Sequence, residues 1–95
     1  DDMIDTAGTI CNAADMAMEK GALDVTCVAT HPVFSGKSIE KLSNSPISKI
    51  IVCDTIDVPA EKSFDKLEII SVSEVFGESI KRINTGRSLS SLFKF

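Results

Sequence analysis

The chain has 95 residues, 43% of them hydrophobic and 25% charged, and a net charge of -4. That is enough for one small soluble domain, and the acidic balance excludes the broad basic surface that nucleic-acid binding requires. No apolar run approaches the ~20 residues of a membrane span, and no basic and apolar leader opens the chain, so a cytoplasmic protein is expected.

In chain order, residues 1–4 (DDMI) read as the end of a strand whose beginning is missing, which leads us to expect a piece of a longer protein. Residues 5–9 (DTAGT) form a turn of small and polar side chains. Ile10, Ala13, Ala14, Ala17 and Met18 then recur at i, i+3, i+4, i+7 and i+8, the apolar stripe of an amphipathic helix. Gly21 stands where a left-handed cap would end it. Residues 24–30 (DVTCVAT) are rich in β-branched side chains and predict a buried strand. His31-Pro32 and Ser35-Gly36 mark a loop. Residues 38–42 suit one or two helical turns, and Ser43-Asn44-Ser45-Pro46 a further loop.

Residues 49–53 (KIIVC) are nearly continuous in apolar character, as in a strand covered on both faces. Residues 54–66 are polar, contain Pro59 and read as loop. Residues 67–72 predict another strand. Ser73 is placed to cap a final helix, with Glu74 in its first turn and Phe76, Ser79, Ile80 and Ile83 on one face. Gly86 stops that helix, and Leu89, Leu92, Phe93 and Phe95 interleave a serine-rich tail. Strands alternating with helices predict an α/β fold with a mostly parallel sheet flanked by helices.

Cys11, Cys27 and Cys53 are odd in number, form no C-x-x-C pair and sit in apolar stretches. They read as buried free thiols in a reducing compartment, not as zinc ligands. His31 is the only side chain that titrates near neutrality, but no nucleophile or acid stands at a recognisable spacing from it. It reads as structural.

The chemistry concentrates at residues 1–9. In open α/β sheets ligands bind beyond the carboxyl ends of strands. A strand that turns into a helix there offers free N–H groups at the positive end of the helix dipole. Ala7 and Gly8 let backbone approach a phosphate, and Thr6 and Thr9 supply hydroxyls. Asp1, Asp2 and Asp5 can accept hydrogen bonds from sugar hydroxyls or hold Mg2+ directly or through water. Together these suit a ribose phosphate. Two readings stand at this point, since Asp5 or Thr9 could serve only as a helix cap and Asp1-Asp2 only as a solvated strand end.

The run DDMIDTAGT resembles the phosphoribosyl-binding motif of type I phosphoribosyltransferase-fold proteins. ATHPVFSG (29–36), IIVCDTI (50–56) and SIKRINTGRSLSSLF (79–93) resemble stretches of ribose-phosphate pyrophosphokinases in particular. The resemblance covers essentially the whole chain. It implies the C-terminal part of a phosphoribosyltransferase-like domain, with an N-terminal domain and the first part of this domain lying outside the sequence.

The resemblance further implies that Asp1 and Asp2 contact ribose hydroxyls and that Asp5, Thr6, Ala7, Gly8 and Thr9 form the 5-phosphate loop. It implies that Ser88, Ser90 and Phe93 belong to a phosphate or nucleotide effector site between subunits. The family reaction moves the β,γ-diphosphoryl group of ATP to ribose 5-phosphate with Mg2+, usually in homo-oligomers that are often hexamers. The ATP site and the basic catalytic loop lie upstream in that family, so the fragment alone is expected to be inactive. Alternatives are another phosphoribosyltransferase of base salvage, or a non-catalytic regulatory relative that keeps the loop.

Overall fold

In the computed structural model, which describes residues 1–93 and the side chains of residues 1–92, every strand pairing is parallel. The elements are β1 (Met3–Ile4), α1 (Gly8–Glu19), β2 (Thr26–Ala29), β3 (His31–Pro32), α2 (Ser38–Ser43), β4 (Lys49–Cys53), β5 (Leu67–Ile70) and α3 (Ser73–Asn84). Single 3-10 turns lie at Ala60–Lys62 and Ser90–Phe93.

β2, β4 and β5 form one three-stranded sheet in that order, and β1 pairs with β3. Only Thr30 separates β2 from β3, so one extended stretch faces β4 with its first half and β1 with its second. Met3 lies opposite His31 and Ile4 opposite Pro32. The mostly parallel α/β architecture expected from the sequence is therefore what forms.

One side of the sheet carries the core. Ala29, Ile50 and Val52 are buried there with Ala14 of α1, Leu42 of α2, Ile47 and Phe34. Truncating a core side chain such as Ile50 to alanine would cost about 2–5 kcal/mol. The other face is bare: Val28 keeps 59% of its surface and Ile70 50%. Within β4 itself Ile51 and Cys53, on that second face, are half-buried, so its cover is fuller on the core face than on the other.

Three further expectations are corrected. His31-Pro32 is strand, not loop. Proline is tolerated because the donors towards β1 come from His31 N–H (to Asp2 O, 2.8 Å) and, beyond a turn, Phe34 N–H (to Ile4 O, 2.9 Å). Residues 8 and 9 belong to α1 and not to the preceding turn. Ser73 is the first residue of α3, not its cap. α3 has no side-chain cap bond; the turn before it is held by Asp54 Oδ1, which accepts from Val72 N–H at 2.8 Å, and by Ser71 Oγ, which accepts from Ser73 N–H at 3.2 Å. Hydrogen bonds to Asp54, from Val72 N–H foremost and the Ser71 hydroxyl next, hold its carboxyl below its ordinary pKa.

α3 projects from the body. Its expected apolar stripe exists, yet Phe76, Ile80 and Ile83 each keep more than half of their surface exposed. The Cα radius of gyration is 16.2 Å, against about 12 Å for a compact domain of this length. No helix among the described residues is long and apolar enough to cross a membrane.

Candidate functional site

The loop from β1 to α1 is set by two unusual backbone positions. Ala7 occupies the N-cap position of α1 with φ 70°, a left-handed conformation that costs a non-glycine residue about 1–2 kcal/mol. It tips the chain so that a left-handed residue is followed by a right-handed helix, a sequence that aims successive N–H groups into one concavity. Its methyl is buried, which holds the turn against the core. α1 has no side-chain cap bond and no acidic residue in its first turn. Cys11 N–H closes the first helical bond to Ala7 O at 3.0 Å. The N–H groups of Gly8, Thr9 and Ile10 have no acceptor among the described residues.

These donors open onto a pocket of about 140 Å³ lined by Asp1, Met3, Asp5, Thr6, Ala7, Gly8, Thr9 and Ile10. That is well below the ~300–1,000 Å³ of sites that enclose drug-sized ligands. It suits a phosphate group and part of a sugar, not a whole nucleotide. A Cβ added at Gly8 would meet no atom within 4 Å, and Gly8 does not have a positive φ. Among the described residues nothing requires glycine at this position.

Six of the seven residues expected at this site line the pocket. Asp2 does not. Along a strand, Asp1, Met3 and Asp5 face one side and Asp2 and Ile4 the other. Asp2 contributes backbone instead, its carbonyl accepting from His31 N–H and its own N–H donating to Asp1 Oδ1 at 2.7 Å. Asp1, Asp2, Asp5, Thr6 and Thr9 are all exposed.

A second turn backs the loop. Phe34 N–H donates to Ile4 O at 2.9 Å and Ser35 N–H to Asp5 O at 3.0 Å. Phe34 has φ 48°, also left-handed, and its ring is fully buried, edge-on to Phe64 with centroids 6.2 Å apart. The sequence motif around Ser35-Gly36 marks a turn but gives no sign that Phe34, a bulky residue, takes the strained position.

A larger apolar groove of about 360 Å³ lies beside the pocket, lined among others by Ile10, Ala13, Val25, Cys27 and Ile47. Cys11, Cys27 and Cys53 are free, as expected, but half-buried and so less enclosed than the sequence predicts. Burial is the main cause that pushes the Cys11 and Cys27 thiols above their ordinary pKa. His31 Nδ1 lies 2.7 Å from Thr55 Oγ1, which in turn donates to Thr30 O at 3.3 Å. No three His, Cys, Asp or Glu side chains among the described residues gather as a metal cluster.

Ser88 and Ser90 lie on a separate turn beyond α3. Ser88 Oγ accepts from Ser90 N–H at 3.2 Å and lies 2.9 Å from Ser90 Oγ. Arg82 organises this turn. It pairs with Glu78 at 2.9 Å, donates to Ser88 O at 3.3 Å and also donates to Ser91 Oγ. Leu89 and Leu92 are half-buried. The Phe93 side chain and Phe95 lie outside the described residues.

A family model described as the phosphoribosyl synthetase-associated domain matches residues 1–94. Ribose-phosphate pyrophosphokinase 1 of Streptococcus mutans serotype c is 53% identical over 95 residues, 100% of this chain and 30% of that protein. Ribose-phosphate pyrophosphokinase of Aquifex aeolicus is 52% identical over 93 residues, 98% of this chain and 30% of that protein. Among solved structures, phosphoribosylpyrophosphate synthetase from Mycobacterium smegmatis superposes with a TM-score of 0.89 at 34% identity, over 90% of this chain and 29% of that one. The chain thus spans about 30% of the length of the curated relatives it matches.

Proposed function

The chain belongs to the phosphoribosyl synthetase-associated domain family and is part of a ribose-phosphate pyrophosphokinase homologue, and from that premise we propose that it is the C-terminal part of the domain that holds ribose 5-phosphate. The observation that carries this reading is the set of three free N–H groups of Gly8, Thr9 and Ile10, aimed into a small pocket rimmed by Thr6, Thr9 and two carboxylates. A helix start of this kind binds phosphate through directed donors and the dipole.

In this reading Thr6 and Thr9 donate to the 5-phosphate, and Asp1 and Asp5 accept from ribose hydroxyls. Asp2 acts through the backbone that fixes Asp1. The parent protein moves the β,γ-diphosphoryl group of ATP to the 1-hydroxyl of ribose 5-phosphate. The new bond joins the 1-oxygen to the β-phosphorus, the bond from that phosphorus to the α-phosphate oxygen breaks, AMP leaves and the hydroxyl loses its proton. This chain's share is positioning, by which a bimolecular transfer becomes effectively unimolecular. Groups that stabilise the transferring phosphoryl charge come from elsewhere in the parent.

Mg2+ fits the donor set in one mode. It favours one or two carboxylates together with substrate phosphates and retained waters, and Asp1 and Asp5 can supply that much without a three-ligand cluster. Bound there, the ion would neutralise charge between substrate oxygens and carboxylates. We further propose a cytoplasmic homo-oligomer, a hexamer, with a phosphate or nucleotide effector near the tail turn of Ser88 and Ser90; the uncovered apolar stripe of α3 supports association alone.

Calorimetric titration of the parent protein with ribose 5-phosphate in magnesium buffer tests the central assignment. Asp5→Ala and Thr9→Ala should each weaken saturable binding by about tenfold, the worth of one hydrogen bond involving a charged group. Tight binding unchanged by both would reduce residues 1–9 to an ordinary helix start.

A further inference from the structure

Residues 59–66, between β4 and β5, were expected to be plain loop, yet two lysines tie them to the rest of the fold. Lys66 Nζ donates to three carbonyls at the end of α2: Leu42 O at 3.2 Å, Ser43 O at 3.0 Å and Ser45 O at 2.9 Å. That is a cation on the negative end of a helix, a structural clamp. Lys62 does something different. Its ammonium donates to Phe34 O at 3.0 Å, and neither the loop nor α2 shares it.

The carbonyl of Phe34 and the N–H of Ser35 belong to one peptide unit. Lys62 therefore holds one end of a peptide plane whose other end donates to Asp5 O at 3.0 Å. Phe34 N–H, one unit earlier, donates to Ile4 O at 2.9 Å. These two bonds fix the carbonyls of Ile4 and Asp5, three and two residues before the strained Ala7. The Phe34 turn is itself strained at φ 48° and persists only if its surroundings over-determine it. The strap supplies both restraints: Phe64 packs edge-on against the Phe34 ring, and Lys62, two residues earlier, grips its carbonyl. A charged donor also polarises the peptide and strengthens the bond at its far end.

We propose that Lys62 is a positioning residue for the phosphate loop, acting through the Phe34–Ser35 peptide on Asp5 without touching the ligand. The proposal rests on the reading of residues 5–9 as that loop. Sites of this kind lose affinity when a supporting hydrogen bond is removed, even with every contacting residue intact.

The test uses the parent protein, with ribose 5-phosphate as the probe in calorimetry and in steady-state kinetics. Lys62→Met should raise Kd and KM for ribose 5-phosphate by about tenfold, within the worth of a hydrogen bond to a charged group, and leave kcat close to wild type. Lys62→Arg should restore most of the affinity. Lys62→Gln, with a neutral donor one bond shorter, should fall between and also covers failure of the methionine variant to fold. Lys66→Met removes the same charge from the same strap; it should lower Tm and leave KM unmoved. If the Lys62 variants behave like Lys66→Met, with lower Tm and unchanged affinity, the proposal is overturned while the phosphate loop stands. If Gly8→Val and Thr9→Ala also leave affinity unchanged, the loop reading falls and takes this proposal with it.

Discussion

Gly8 separates what the fold needs from what a ligand needs. Its backbone is not left-handed, and an added Cβ would meet no protein atom within 4 Å. Gly8→Ala should thus cost the fold nothing. A methyl in a helix is favoured over glycine by up to about 1 kcal/mol, and less in the first turn. In the parent protein, about three times this length, 1 kcal/mol corresponds to at most roughly 2–4 °C in Tm, so a rise of no more than about 1–2 °C is expected. The same methyl enters the mouth of the 140 Å³ pocket beside the Gly8 N–H. A phosphate oxygen held on that N–H would be crowded by it, and loss of one aligned bond is worth about tenfold in affinity. Gly8→Val, with two further methyls, should abolish binding at accessible concentrations. The assays are thermal unfolding and ribose 5-phosphate calorimetry on the same samples. Unchanged affinity in both variants, with Tm raised or constant, would refute the view that the space before Gly8 is reserved for phosphate. A collapse of Tm would refute the premise that the protein leaves that space empty.

Ser38 Oγ is buried without a hydrogen-bond partner among the described residues. Ser38→Ala should therefore stabilise by about 1 kcal/mol, the low end of the penalty for an unsatisfied buried polar group, seen as a raised Tm. Asp54 is held below its ordinary pKa by Val72 N–H and then by Ser71. A depressed carboxylate lends stability above its unfolded pKa and loses it as pH falls through the folded value. Protection of α3 amides should accordingly hold down to about pH 4 and drop below it, and this acid step should vanish in Asp54→Asn. Arg82→Leu removes the donors that hold Ser88 and Ser91; limited proteolysis should then cleave after Arg87 well before the body of the domain.

Much of this architecture was legible in the sequence because it is local. The stripe from Ile10 to Met18 places α1, and the apolar run KIIVC bounds β4 to the residue. The small residues Ala7 and Gly8 after an acidic strand end mark the pocket. What escaped is non-local. Pro32 reads as a breaker, but the donors towards β1 fall on other residues. Ser73 has the chemistry of a cap, yet it is the first helical residue, and the turn before it is held by Asp54, far away in sequence. Periodicity shows which face of α3 is apolar and says nothing of what covers it. Asp2 could be placed out of the pocket only once the phase of β1 was known. Lys62 and Lys66 look like two charges of a solvated loop, and only tertiary structure turns them towards carbonyls.

The most direct test of the central claim is a crystal structure of the parent protein with ribose 5-phosphate. The account predicts the phosphate within hydrogen-bond reach of the N–H groups of Gly8, Thr9 and Ile10, with the sugar towards Asp1 and Asp5. A phosphate bound elsewhere, with those three N–H groups still facing water, would contradict it.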